Sequence, residues 1–189
     1  MKCNSDPSDR TDPLPVTRSP RPDLHDQIAI TSPAPTPCIV LDTNVCLDLL
    51  LFDDPRAAAL REALESSDII AISNQECRDE WLRVLRYPVL RLDEARCVAL
   101  TEAYGTLLQP FDAIGPVASR RPDTTLPRCS DPDDQKFLQL AHDAGARWLV
   151  SRDRHLLSLA SRCRREGLFE ILTPQQWSER YSSPHVGAT

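Results

Sequence analysis

Short apolar segments alternate with longer, helix-patterned segments from residue 38 onward, and this alternation constrains the fold more than any other feature of the sequence. Four short segments predict buried strands: CIVL at 38–41, IIAI at 69–72, WLV at 148–150 and FEIL at 169–172. Helices are predicted between and after them, at 44–51, 55–66, 74–85, 93–108 and 131–145, and again beyond 153 and 173. Strands that alternate with helices form a mostly parallel sheet covered on both faces, so the predicted fold is α/β with a mainly parallel central sheet.

Capping signals mark several helix starts. Ser73 with Glu76, and Thr173 with Gln176, have the spacing of a capping box. Asp131 precedes Pro132 and is a predicted N-cap. The proline-containing segment 109–128 is predicted to be a loop with at most one short strand, around residues 113–117.

Composition divides the chain into one folded domain and two tails. The chain has 189 residues, 41% of them apolar and 26% charged, which suits a single soluble globular domain. Residues 1–37 carry eight of the 17 prolines and no aromatic residue, so they are predicted to be a disordered tail or, alternatively, a partner-binding arm. The predicted domain spans 38–181, and 182–189 form a flexible C-terminal tail.

Charge and cysteine usage exclude several classes of protein. A net charge of -6 argues against a generic nucleic-acid coat, because that kind of binding relies on basic residues. No segment has the roughly 18 consecutive apolar residues of a membrane span, and the N-terminus has no signal-peptide core. The seven cysteines are scattered without zinc-binding spacing, which is typical of reduced thiols in a cytoplasmic protein.

Acidic residues follow two of the predicted strands directly. Asp42 follows the first strand and Asp153 follows WLVS, so both are expected at the carboxyl edge of the sheet, where α/β proteins bind ligands. Glu80 and Asp134, on predicted helices, can join them at this edge. Carboxylates packed together repel unless a cation neutralises them, and Mg²⁺ or Mn²⁺ is the natural choice for oxygen ligands.

Each acid also has an ordinary structural interpretation. A lone aspartate after a strand is most often a helix cap, Asp134 could favour its helix dipole, and Glu80 could be a surface residue. Their expected convergence favours a site instead. Thr43 and Asn44 add polar groups that could orient a carboxylate or a bound water.

Four motifs in this order resemble the PIN-domain ribonucleases. They are VLDTNV around Asp42, SNQECRDEWLRVLRYP around Glu80, DPDDQKFLQLA around Asp134 and WLVSRDRHLL around Asp153. The similarity runs from about residue 38 to 181. It is greatest to the bacterial branch assigned as toxins of toxin–antitoxin systems.

The resemblance implies a three-layer α/β/α fold and Mg²⁺- or Mn²⁺-dependent cleavage of single-stranded RNA by metal-activated water. By position, Asp42, Glu80, Asp134 and Asp153 would be the catalytic, metal-binding acids. Around them the family pattern gives supporting roles to Asn44, Asp131 and Ser151, to which the polar group of Thr43 is added from its place beside Asp42. The implied partners are single-stranded RNA, a protein antitoxin and a second copy of the chain, with no membrane.

The sequence departs from the family pattern beside the last acid. Arg152 stands where a small residue is common, and His155 stands where a second acid is common. Arg152 and Arg154 either contact phosphate or pair with the carboxylates and weaken metal binding. With Arg120, Arg121 and Arg128 they form a hypothetical path for RNA.

Two other functions remain open on the sequence alone. An aspartate at a strand end also suits a phosphotransfer domain, although Asn44 stands where the hydrolase version has a second acid. A catalytically weak nuclease fold that only binds a partner would retain the same motifs.

Overall fold

A five-stranded parallel sheet forms the centre of the protein in the computed structural model, which describes residues 35–114 and 125–181. The strands are β1 (Cys38–Leu41), β2 (Ile70–Ser73), β3 (Leu108–Pro110), β4 (Trp148–Val150) and β5 (Glu170–Leu172). They lie in the order β3-β2-β1-β4-β5, and every neighbouring pair is parallel. The predicted α/β class is confirmed.

Helices cover both faces of this sheet. They are α1 (Thr43–Leu50), α2 (Ala58–Glu65), α3 (Gln75–Leu85), α4 (Glu94–Leu107), α5 (Phe111–Ile114), α6 (Gln135–Asp143), α7 (Arg154–Leu157), α8 (Ala160–Arg165) and α9 (Pro174–Tyr181). Turns of 3₁₀ helix at Pro55–Ala57 and Pro132–Asp134 precede α2 and α6, and a third lies at Pro88–Leu90.

Alternation along the strands divides the buried residues into two cores. In β1, Ile39 and Leu41 pack with residues of α1, α2, α4 and α9, whereas Val40 packs on the opposite face with α6, α7 and α8. Trp148 and Leu149 of β4 divide in the same way. Side chains of a strand alternate between faces, so each core seals one face and the result is a three-layer α/β/α architecture.

Two local predictions for this region need correction. Asn74, and not Ser73, is the N-cap of α3, because the Asn74 side chain accepts a hydrogen bond from the Cys77 backbone N–H at 3.0 Å. Ser73 ends β2, and its hydroxyl bonds the Tyr104 hydroxyl at 2.6 Å. The third strand along the chain lies at Leu108–Pro110 and not at 113–117, of which 113 and 114 are helical and 115–117 lie outside the described residues.

Other predictions can be followed only in part. The Thr173–Gln176 capping box is confirmed by reciprocal bonds of 3.0 and 3.1 Å. The predicted tails at 1–37 and 182–189 fall almost wholly outside the described residues and stay predictions.

Among the described residues the cysteines are free, and no helix there is long and apolar enough to cross a membrane.

Candidate active site

The carboxyl ends of β1 and β4 meet at the point where the direction of strand addition reverses. From β1 the chain adds β2 and β3 on one side, and then returns to add β4 and β5 on the other. The Asp42 backbone N–H, just past β1, donates to the Val150 carbonyl of β4 at 3.0 Å. Ligands of open α/β sheets bind in the crevice outside such a reversal, so residues that follow β1 and β4 are candidates for function.

Asp42 is buried at this position and does not act as a helix cap. It is only 4% exposed, and its side chain makes no capping bond to α1 although it occupies the N-cap position. The Ser151 hydroxyl and the Asn44 side-chain amide each donate to Asp42 Oδ2 at 2.5 Å. Burial raises the pKa of Asp42 to about 6, and the charge of Glu80 adds to this rise, whereas hydrogen bonds from Ser151 and Asn44 oppose it. Ser151 and Asn44 thus fix the position of the Asp42 carboxylate, although burial disfavours its ionised form.

The surroundings of Asp134 likewise disfavour its ionised form. It precedes α6 without capping it, and its Oδ2 is buried with no hydrogen-bond partner. Burial raises the pKa of Asp134 to about 6, and further contributions come from the charges of Asp42, Asp153, Asp131 and Glu80. A buried oxygen without a partner requires an explanation, and a bound cation or water would supply one.

Three of the acids predicted from sequence, Asp42, Glu80 and Asp153, thus lie within electrostatic reach of the fourth, Asp134. We refer to Asp42, Glu80, Asp134 and Asp153 as the acidic cluster. They come from four distant parts of the sequence: Asp42 and Asp153 follow β1 and β4, whose carboxyl ends share an edge of the sheet, whereas Glu80 lies on α3 and Asp134 precedes α6.

The other two members of the acidic cluster have partners of their own. Asp153 caps α7 by accepting from the His155 backbone N–H at 2.6 Å, so its ordinary structural role is real. Its own backbone N–H donates to the Ser151 hydroxyl oxygen at 2.8 Å, which connects it to Asp42 through one serine. Glu80 Oε2 contacts the ammonium group of Lys136, on the first turn of α6.

The predicted supporting residues divide into two groups. Ser151 and Asn44 contact Asp42 directly, and Asn44 Oδ1 also accepts from the Arg152 backbone N–H at 3.1 Å. Asp131 caps the 3₁₀ turn before α6 by accepting from Asp133 at 2.9 Å. Thr43 is buried at the start of α1, and the bonds to the Asp42 carboxylate come from other residues.

The arginines take different roles from one another. Arg152 Nε contacts Oδ2 of Asp48 at 2.8 Å, and Asp48 is a buried residue of α1 outside the acidic cluster. Arg128 and Arg154 are exposed. Arg120 and Arg121 lie outside the described residues.

Sequence patterns missed three of the side chains that shape this site. Lys136 pairs with Glu80, Asp48 pairs with Arg152, and Tyr104 bonds Ser73 while its ring stacks on Trp81 at 5.1 Å. Lys136 carried a usable signal, since it lies two residues after Asp134 in a motif already selected. The other two contacts join residues far apart in sequence and leave no local pattern.

The chemistry of these residues fits a hard divalent cation. The acidic cluster supplies carboxylate oxygens, and the unpartnered Asp134 oxygen is the kind of ligand that Mg²⁺ or Mn²⁺ prefers. The side chains are not gathered as a finished metal site, because no three His, Cys, Asp or Glu residues of the described part converge closely enough to hold an ion. Glu80 faces Lys136 and Asp153 caps α7, so some rearrangement must accompany cation binding.

The protein thus has a three-layer parallel α/β fold with acids at the reversal of its strand order, where proteins of this class bind ligands. The family model described as PIN domain matches residues 38–155, which is more than half of the chain, and the protein belongs to the PIN-domain family. Comparisons with curated proteins and with solved structures gave no match. The family match ends before α8 and α9, so the predicted C-terminal boundary at 181 stays a prediction.

Proposed function

We propose that this protein is an Mg²⁺- or Mn²⁺-dependent endoribonuclease that hydrolyses single-stranded RNA. The observation that carries the proposal is the pair of carboxylates near the strand-order reversal: Asp42 is buried, Asp134 has a buried oxygen without a partner, and both pKa values are raised to about 6. Groups that destabilise a protein in this way are concentrated at functional sites. Membership of the PIN-domain family gives the pair a nuclease context.

Each residue would contribute through position and charge. Asp42, Asp134, Glu80 and Asp153 would hold the cation, which would supply a more acidic water and a counter-charge for the phosphate. Ser151 holds Asp42 Oδ2 in one orientation, so that carboxylate needs no reorganisation when substrate arrives. The chain would need no nucleophilic side chain of its own.

RNA would approach the acidic cluster past exposed arginines. Arg154 follows Asp153 directly and Arg128 precedes Asp131, and both are exposed. Contacts of this kind to phosphates position a strand without reading its sequence. Replacing either arginine with alanine should raise KM for RNA more than it lowers kcat.

We extend the proposal to a toxin of a toxin–antitoxin pair, on the resemblance of the four motifs to that branch of the family. Induced expression in a bacterial host should then arrest growth, and the Asp42→Asn variant should not. Normal growth with soluble, active protein would remove the toxin assignment and leave the nuclease proposal in place.

One contact favours a second function, a PIN-fold module that binds RNA or a partner without cleaving. Lys136 neutralises Glu80 within the protein itself, which lowers the need for a metal ion at that carboxylate. The two functions differ in their dependence on metal. Binding that persists in EDTA without cleavage under any divalent cation would favour the module.

The test is cleavage of an end-labelled single-stranded RNA in Mn²⁺ or Mg²⁺, compared with EDTA. Asp134→Asn should abolish cleavage, and Asp133→Asn is the matched control because it removes a neighbouring, exposed carboxylate. Glu80→Gln and Asp79→Asn form a second matched pair on α3, where Asp79 is exposed and bonds Gln75. Equal cleavage by both members of each pair would refute the assignment of the acidic cluster.

A further inference from the structure

Lys136 places a positive charge inside the acidic cluster. It lies in the first turn of α6, two residues after Asp134, and its ammonium contacts Glu80 Oε2 on α3. Both side chains are only 14% exposed. The ammonium also donates to the Asp133 backbone carbonyl, so its position is fixed by its own helix as well as by Glu80.

This contact differs from the surface ion pairs of the molecule. Arg83 reaches the same Glu80 oxygen from one turn along α3, but at 4.0 Å and with 59% of its side chain exposed. Solvent screens an exposed pair of that kind, whereas a pair shielded from water interacts more strongly. Lys136 is therefore the main counter-charge of Glu80 among the described residues.

The carboxylate that Lys136 neutralises belongs to the set that would hold a cation. The charge of Glu80 contributes to raising the pKa values of both Asp42 and Asp134. Neutralising Glu80 thus reduces repulsion across the cluster when no metal ion is bound. A cation bound by the cluster would also reduce this repulsion, and it would compete with the Lys136 ammonium for Glu80.

The choice of lysine is itself informative. The chain has 22 basic residues, and only Lys2 and Lys136 are lysine. An arginine at this position would form a planar, two-pronged pair with a carboxylate, whereas lysine presents a compact point charge on a flexible stem. Lysine is therefore better suited than arginine to move off a carboxylate when another cation binds there.

We propose that Lys136 is a built-in counter-ion of the acidic cluster that competes with the divalent cation for Glu80 and moves off this carboxylate when the cation binds. This inference rests on the proposed function, because it assumes that the cluster binds a divalent cation. In the described part of the chain, Glu80 is paired with Lys136 and is therefore not free to bind a cation unless this contact opens.

Calorimetric titration with Mn²⁺ tests the competition. Lys136→Met keeps an unbranched side chain one atom shorter and removes the charge, and Arg83→Met removes one charge beside the same oxygen at the longer distance. Lys136→Met should tighten Mn²⁺ binding about tenfold or more, the size of effect that one opposite charge within about 4–6 Å exerts on a carboxylate. Arg83→Met should change it much less. Equal affinities in wild type and Lys136→Met, or weaker binding in the variant, would overturn the inference.

A second measurement needs no substitution at Lys136. Lysine-selective isotope labelling gives side-chain signals for two residues only, which a Lys2→Arg variant assigns. Titration of the wild type with diamagnetic Mg²⁺ should shift the Lys136 signal with the midpoint measured for binding. A Lys136 signal that stays unchanged while Mg²⁺ binds would make the contact purely structural.

The outcomes separate this inference from the proposed function. Metal binding by the wild type without any effect at Lys136 would overturn only the counter-ion role. Absence of binding to both wild type and Lys136→Met would overturn the metal-dependent function together with the inference.

Discussion

Replacing Asp42 with asparagine should stabilise the metal-free protein at neutral pH. Burial raises the pKa of Asp42 from 3.8 to about 6, a shift of about two units, and each unit corresponds to about 1.4 kcal/mol. The folded state therefore bears a penalty of about 3 kcal/mol for holding this ionised carboxylate. The asparagine side chain is neutral, and its carbonyl could still accept the hydrogen bonds of Ser151 and Asn44.

The direction of the pH dependence follows from the two pKa values. Between pH 4 and 6 the folded Asp42 carboxyl retains a proton that the unfolded chain has lost, so the folded state binds more protons. The contribution of Asp42 to the free energy of unfolding must then fall as the pH rises through this window, and it levels off above pH 6. The advantage of the asparagine variant should be near zero at pH 4 and reach about 3 kcal/mol above pH 6.

Urea denaturation in EDTA at several pH values, followed by circular dichroism, measures this difference. Asp54→Asn is a control of opposite sign, because the hydrogen bonds from Arg56 lower the pKa of Asp54 to about 2. A group with a lowered pKa contributes stability above its unfolded pKa, so this control should be less stable than wild type at neutral pH. A stability difference between wild type and Asp42→Asn that does not vary with pH would refute the reasoning.

Three further substitutions test how the site is supported. Ser151→Ala should weaken Mn²⁺ binding about 10- to 100-fold in calorimetry because it frees the carboxylate that the serine orients, whereas Ser158→Ala, in an exposed cap, should not. Arg152→Ala should lower the urea-derived free energy of unfolding by about 1–3 kcal/mol, since it leaves the buried Asp48 without its partner. Adding Asp48→Asn should recover part of that loss, and strict additivity would argue against the pair. Tyr104→Phe should lower the free energy of unfolding by about 1 kcal/mol, because it removes the hydrogen bond between the Tyr104 and Ser73 hydroxyls at the end of β2. An unchanged free energy of unfolding would mean that this bond does not contribute to stability.

The strands and the edge that carries the acids were predictable because their signals are local. CIVL and WLV are bounded apolar runs, and both form central strands of the sheet. Once parallel strands are inferred, their carboxyl ends must share an edge, so the proximity of Asp42 and Asp153 follows from topology alone. Asp134 was expected to join them from the first turn of a predicted helix, and its pKa responds to both acids.

Tertiary contacts overrode the local signals elsewhere. Ser73 has the spacing of a helix cap, but its hydroxyl is taken by Tyr104 from 31 residues away, and Asn74 caps α3 instead. Arg152 could not be assigned for a similar reason. Its partner, Asp48, faces inward from the middle of α1, and nothing in the sequence around Asp48 distinguishes it from a surface residue.

The stability of the protein should differ between the metal-free and the metal-bound acidic cluster, because Glu80 is paired with Lys136 and Asp42 is buried. Without a metal ion, Lys136 is the main counter-charge of Glu80 among the described residues, and ionised Asp42 should destabilise the folded protein at neutral pH by about 3 kcal/mol. A cation present at about 100 times its dissociation constant would stabilise the folded state by about 2.7 kcal/mol, which nearly offsets that penalty. The proposed cation binding would then compensate for the destabilisation by Asp42. The melting temperature of the wild type should rise with Mg²⁺, and that of Asp42→Asn should rise much less. An equal rise in both proteins would mean that the cation acts somewhere other than at Asp42.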